Sequence, residues 1–265
     1  MKTLKLLSLF SLLAVTMMLH ANPPKHELRA TWFTTHQNID WPKTMITNEA
    51  TRQQQKKELT DMLDKMAEGN MHACFLQVRS LCDALYKSSY EPWAIVLTGT
   101  RGKDPGYDPL AFAIEECHKR GMQLHAWLVT IPLGDAAHVK AHGKLSLPAK
   151  HPDQCTKFKG AWYMEPSHPA TVGHLSALVE EIVTKYDVDG IHFDYIRYPE
   201  GNVTYPDGAR YNRNRRGMSK ADWRRSNITH LMSTLYAKVK SIKPWVCVSA
   251  ATLGKHADTS RYSSY

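Results

Sequence analysis

Over residues 187–199 the chain reads Asp-Val-Asp-Gly-Ile-His-Phe-Asp-Tyr-Ile-Arg-Tyr-Pro. The Asp189-Gly190 turn launches a short apolar run that Pro199 is expected to stop. Alternation with period two puts Ile191 and Phe193 on one face and His192 and Asp194 on the other. An acid near the carboxyl end of a strand, with His192 and Arg197 close by, is costly to bury without a task or a partner. Its chemistry is that of a catalytic carboxylate, acting as general base or nucleophile. A second carboxyl group is the usual companion. The loop acids Asp40, Asp83 and Glu165 are candidates, although capping or surface pairing is the plainer account of each.

Two further stretches carry polar groups at alternate positions. Gln77 and Arg79 close the run 73–79, and His125 and Trp127 lie within 123–130, so each pair is expected to share a face. An unpaired guanidinium inside a fold is expensive, and Asp194 is the obvious partner for Arg79. His36, His125, His192 and Asp194 could in principle converge on a divalent ion. No tight ligand signature such as His-Glu-x-x-His is present, so neither metal nor cofactor is expected.

The elements that must position these residues alternate between strand and helix. Strands are expected at 29–35, 73–79, 123–130, 187–199 and 245–252. Helices are expected at 51–68, 108–120, 171–186 and from Ser219 to just before Pro244. Asp108-Pro109 and Ser219-x-x-Asp222 supply helix starts, and Gly69 and Gly121 supply stops. Segments after strands are long and aromatic, among them the one carrying Trp162, Tyr163 and Glu165, whereas those before strands are short. Five such βα periods predict parallel strands with helical crossovers, and a site at the strands' carboxyl ends.

Residues 1–21 combine Lys2 and Lys5 with an apolar run and a terminal Ala21, which reads as a signal peptide; residues 22–265 then form one domain. An exported, periplasmic or extracellular protein is expected, with no integral membrane segment after signal removal. Loss of the leader lowers the net charge of +9 by its two lysines. The remaining excess is spread along the chain. Its one cluster, Arg210 to Arg216, reads as a solvated loop, so no nucleic-acid partner is expected. The five cysteines have no metal spacing. Cys74, Cys117 and Cys247 are expected to be buried apolar residues, while Cys82 and Cys155 lie in loops.

Several segments taken together resemble a known family. They include Glu27-Leu28-Arg29-Ala30-Thr31-Trp32, Asn38-Ile39-Asp40-Trp41-Pro42, Leu76-Gln77-Val78-Arg79 and Asp83-Ala84-Leu85-Tyr86. Glu91-Pro92-Trp93, the run 102–110, His125-Ala126-Trp127, the run 187–199, Ala221-Asp222-Trp223-Arg224-Arg225 and Lys243-Pro244-Trp245 continue the series in order. The chain is similar to the glycosyl-hydrolase-like family ten domain of secreted bacterial proteins. The resemblance implies an α/β fold of the (β/α)8 TIM-barrel type. It also implies hydrolysis of glycosidic bonds in a polysaccharide or cell-wall glycan. On that reading Asp194 is the catalytic carboxylate. Gln77, Arg79, His125, Trp127, His192, Arg197, Tyr198, Asp40 and Asp83 are expected to bind or orient the carbohydrate. Trp32 and Trp41 could line the groove. A metal-dependent barrel hydrolase and a non-catalytic glycan-binding remnant are the alternatives. Two departures stand out: Tyr195 follows Asp194 where relatives carry a second acid, and five βα units are visible where a barrel needs eight. An incomplete, carboxyl-terminally truncated barrel is therefore expected.

Overall fold

The computed structural model describes residues 27–201 and 204–253. The leader read at 1–21 lies outside the described residues.

Five parallel strands form the main sheet in the order β1-β2-β3-β7-β8. They are β1 (Ala30–Phe33), β2 (Ala73–Arg79), β3 (Gln123–Val129), β7 (Gly190–Asp194) and β8 (Cys247–Ala250). Helix α1 (Glu49–Glu68) connects β1 to β2, and α2 (Pro109–Lys119) connects β2 to β3. Helix α4 (Pro169–Lys185) leads into β7, and α6 (Lys220–Ile242) connects β7 to β8. The helix starts are local chemistry. Asn48 and Thr51 close a reciprocal capping box on α1. Asp108 accepts from the Ala111 amide, with Pro109 in the first turn of α2. Ser219 accepts from the Asp222 amide at 3.1 Å and starts α6.

The two faces of the sheet differ in kind. Leu76, Val78, Leu124, Ala126, Leu128, Ile191 and Phe193 join one buried apolar cluster with Leu59 and Leu63 of α1, Ile114 of α2, Leu178 and Ile182 of α4 and Leu235 of α6. Each such Leu or Ile contributes about 1.5–3 kcal/mol by leaving water. The opposite face carries Trp32, Phe75, Gln77, His125, Trp127, His192, Asp194 and Ser249. The register sets Phe75 beside His125, Trp127 beside His192 and His192 beside Ser249. His125 fits its row because its neighbour is Gly190. A β-carbon there would lie 2.2 Å from His125 Nδ1.

Several sequence expectations need correcting. Strand β7 ends at Asp194, not at Pro199, because Tyr195 turns into the left-handed region (φ 50°). The aromatic segment after β3 is not a loop. It folds as a three-stranded antiparallel sheet in the order β4-β6-β5, comprising β4 (Pro132–Asp135), β5 (Cys155–Phe158) and β6 (Ala161–Met164). Helix α3 (Ala136–His142) follows β4. The basic cluster is no loop either, since Gly208–Asn214 forms helix α5. Cys74 and Cys117 are buried as expected, but Cys247 is exposed on the edge strand and the loop residue Cys82 is buried. The five cysteines are unpaired.

Among the described residues the parallel sheet does not close on itself. It is an α/β assembly of five strands with β1 and β8 as its edges, a partial barrel of the TIM type.

Candidate active site

Asp194 is the last residue of β7 and is buried at 8% exposure. Its carbonyl oxygen accepts from the Thr130 amide and the Thr130 hydroxyl, both at 2.9 Å, which locks the ends of β3 and β7 together. Among the described residues each carboxylate oxygen has one donor. The Tyr195 amide reaches Oδ1 at 2.7 Å, and the Trp127 indole reaches Oδ2 at 3.2 Å. Tyr195 itself is held at positive φ (50°). A non-glycine residue held there carries strain, which is commoner at functional sites than elsewhere.

Around this carboxylate lies a cleft of about 640 Å³, walled by Gln77, Trp127, Tyr163, Tyr195, Arg197 and Glu200 among others. That is the size of an ordinary ligand cleft. Gln77 is fixed through its amide oxygen, which accepts from the Thr35 and His36 amides at 3.0 and 2.8 Å and from the Thr34 hydroxyl at 2.9 Å. Its side-chain nitrogen makes no hydrogen bond among the described residues, so an aligned donor remains at the cleft. Arg197 lies 4.3 Å over the exposed Tyr195 ring and 3.8 Å from Glu200. Tyr198 closes the wall from beneath, buried, with its hydroxyl accepting from Asn227 at 3.0 Å.

Arg79 is the clearest departure from the sequence reading. A register shift falls between Gln77 and Arg79, so Arg79 pairs with helix-side Leu128 and leaves the face that Gln77 occupies. It is fully buried and forks onto Glu91 at 2.7 and 2.8 Å. It also donates to the carbonyls of Val129 and Thr130. Burial opposes ionisation of Glu91, but Arg79 overrides it and holds the carboxyl well below the usual range. The expected Arg79–Asp194 pair does not form. Arg79 instead braces the backbone that carries Thr130 and, through it, Asp194.

His125 and His192 also fall outside the cleft, one layer deeper. His125 lies against Phe75, with its Nε2 3.1 Å from Gln123 Oε1, and His192 meets the Ser249 hydroxyl at 2.7 Å. Asp40 accepts from the Thr34 amide at 2.8 Å and braces the end of β1 without lining the cleft. Asp83 lines a neighbouring cavity, and Glu165 is buried under Thr156 and Ser167 as a fastener of the small sheet. Trp41 is core, its indole donating to the Gln55 carbonyl, and Trp32 lies on the inner face away from the cleft.

The four groups weighed for a metal are not brought together as a ligand set among the described residues. The trio that does converge is Cys82, Glu91 and His174, with donor atoms within 4.8 Å of one another. Both Glu91 oxygens there already serve the Arg79 fork, which makes the cluster a buried ion pair. The residues that sequence reasoning missed are Glu200 and Tyr163. Glu200 is an acid six positions beyond Asp194 in the same segment. Tyr163 was visible only as a loop aromatic, because nothing local announced the inserted sheet.

A family model described as Glycosyl hydrolase-like 10 matches residues 27–265. Among curated proteins, the glycosyl hydrolase YngK of Bacillus subtilis is 37% identical over 235 residues, covering 86% of this chain and 45% of that protein. The glycosyl hydrolase DigH of Escherichia coli is 33% identical over 239 residues, covering 83% and 53%. The chain thus spans about half the length of the curated relatives it matches. Among solved structures, α-L-fucosidase isoenzyme 2 from Paenibacillus thiaminolyticus superposes with a TM-score of 0.56 at 15% identity, over 87% of this chain and 34% of that one. The chitobiase of Flavobacterium johnsoniae does so at 0.54 and 13%, over 87% and 34%. At such identities the likeness is one of fold.

Proposed function

Because the chain belongs to the glycosyl hydrolase-like 10 family, we propose that it is an exported glycoside hydrolase acting on the O-glycosidic bonds of a polysaccharide or cell-wall glycan. The supporting observation is Asp194. It is a strand-end carboxylate with one donor on each oxygen among the described residues, at the floor of a cleft lined by Trp127, Tyr163 and Tyr195. Aromatic faces stack on the apolar faces of sugar rings. The free amide nitrogen of Gln77 and the Arg197 guanidinium supply donors to sugar hydroxyls. Asp194, held in one orientation, acts as nucleophile or as the base that activates water.

Glycoside cleavage also needs a carboxylic acid to protonate the leaving oxygen. Glu200 lines the same cleft and is the described carboxylate best placed in sequence and space to share the work. Export rests on the leader-like composition of residues 1–21, and recovery of the protein from periplasm or medium with that segment removed tests it.

The decisive measurement is release of new reducing ends from cell-wall and plant polysaccharides. Asp194→Asn should lower turnover by about a thousandfold or more while leaving the circular dichroism spectrum unchanged. Undiminished turnover would end the assignment. Glycan binding without turnover in the unsubstituted protein would make it a carbohydrate-binding domain instead.

A further inference from the structure

A second cavity of about 600 Å³ adjoins the Asp194 cleft, and His36, Ser80 and Leu81 line both. These three shared residues set the two cavities side by side near the carboxyl ends of β1 and β2. Met45, Ile95 and Val96 give the second cavity's lining apolar surface, and Arg101 and His138 add polar groups. Into this cavity projects Asp83, 4% exposed. Among the described residues its carboxylate accepts one hydrogen bond, a long 3.4 Å contact from the Leu81 amide.

A buried carboxylate has room for about four hydrogen bonds and is costly to leave underfilled. Asp83 is unlike the other buried acids in this respect. Glu91 holds Arg79 and His174, Asp207 holds Arg224 and Lys220, and Glu165 holds Thr156 and Ser167. Burial shifts the Asp83 carboxyl upward, against the opposing influence of His138. Arg101, half-buried in the same lining, is engaged by the His142 ring at 3.0 Å and by no carboxylate among the described residues. The cavity therefore presents a spare acceptor and a spare donor beside apolar surface. That is the chemistry that reads the hydroxyls of a sugar ring while its carbon face packs.

We propose that this cavity is a second sugar subsite, with Asp83 accepting from ring hydroxyls, so that the substrate is an oligosaccharide or polymer crossing both cavities. The inference rests on the glycosidase reading above and specifies its substrate as a chain several rings long. Asp83 contacts substrate without taking part in bond cleavage.

The test uses protein carrying Asp194→Asn, so that binding is measured without turnover. Chitooligosaccharides and cello-oligosaccharides of one to six rings are titrated by calorimetry. Affinity should climb with length beyond what the Asp194 cleft alone can hold. Asp83→Asn should then weaken the longest oligomer about tenfold, the ratio expected from losing charge-assisted hydrogen bonds, while the shortest changes little. Ala137→Trp, which fills the cavity from an exposed position on α3 and leaves Asp83 itself in place, should flatten the same length dependence and guards against misfolding of the first variant. Length-dependent affinity unaltered by either substitution would overturn the subsite and leave the glycosidase reading standing. Failure of every oligomer to bind would overturn both.

Discussion

His192 shows how a residue singled out for chemistry can be put to structural use. Alternation places it on the same face as Asp194, yet it lies one layer below the cleft, edge-on to Trp32 at 4.5 Å and hydrogen-bonded to Ser249. Its Nε2 and the Nδ1 of His125 are buried without partners among the described residues. Burial, with repulsion from His125 added, pushes His192 down to about 4. An unfolded histidine takes up its proton near ~6.5. Between those values the unfolded chain binds the proton and the folded one does not, so stability rises with pH. The stabilisation from neutral His192 is thus present above ~6.5 and lost as pH falls towards 4. The melting temperature should drop over that interval, and His192→Gln should drop less. Parallel curves for the two proteins would remove His192 from the account.

At the scale of elements, one irregularity in β2 decides what two of its residues do. Without the register shift Gln77 and Arg79 would share the cleft face; with it, Gln77 faces the cleft and Arg79 turns back to Glu91. The Arg79–Glu91 pair then ties the segment after β2 to the ends of β2 and β3, which Thr130 couples to Asp194. Removing one partner of a buried ion pair leaves an uncompensated charge, at a cost of about 3–5 kcal/mol. Glu91→Gln should lower the urea midpoint accordingly and depress turnover through loss of Asp194 alignment. A variant with unchanged stability would show that the pair is not what braces the strand ends.

For the whole molecule the dominant fact is that the sheet is open among the described residues. Among the described residues strands β1 and β8 each pair on one side only, and the inner face leaves Trp32 42% exposed. Unpaired edges and an uncovered aromatic face favour association with other chains. The 265-residue polypeptide on its own should form oligomers in sedimentation velocity at micromolar concentration and bind a hydrophobic dye. A monomer with sharp, reversible thermal unfolding and no dye binding would contradict this.

The elements of the main sheet and its helices are legible in the amino acids alone, because capping residues, glycine stops and apolar periodicity act within a few residues of where they stand. Strand β2 is found at the residues expected, and α1, α2, α4 and α6 agree to within a turn. Alternation also put His192 and Asp194 on one face of their strand and His125 and Trp127 on one face of theirs, since alternate residues of a strand point the same way. Which polar residues share a cavity is not legible locally. The bulge that separates Gln77 from Arg79, the choice of Glu91 over Asp194 as the arginine's partner, and the inserted sheet that brings Tyr163 to the cleft all depend on contacts between distant segments. Asp83 is the sharpest case: local sequence makes it one loop acid among several, and the packing of β1, β2 and α3 makes it the underfilled carboxylate of a second cavity. Periodicity encodes which way a side chain faces, whereas its partners are set by how the chain returns.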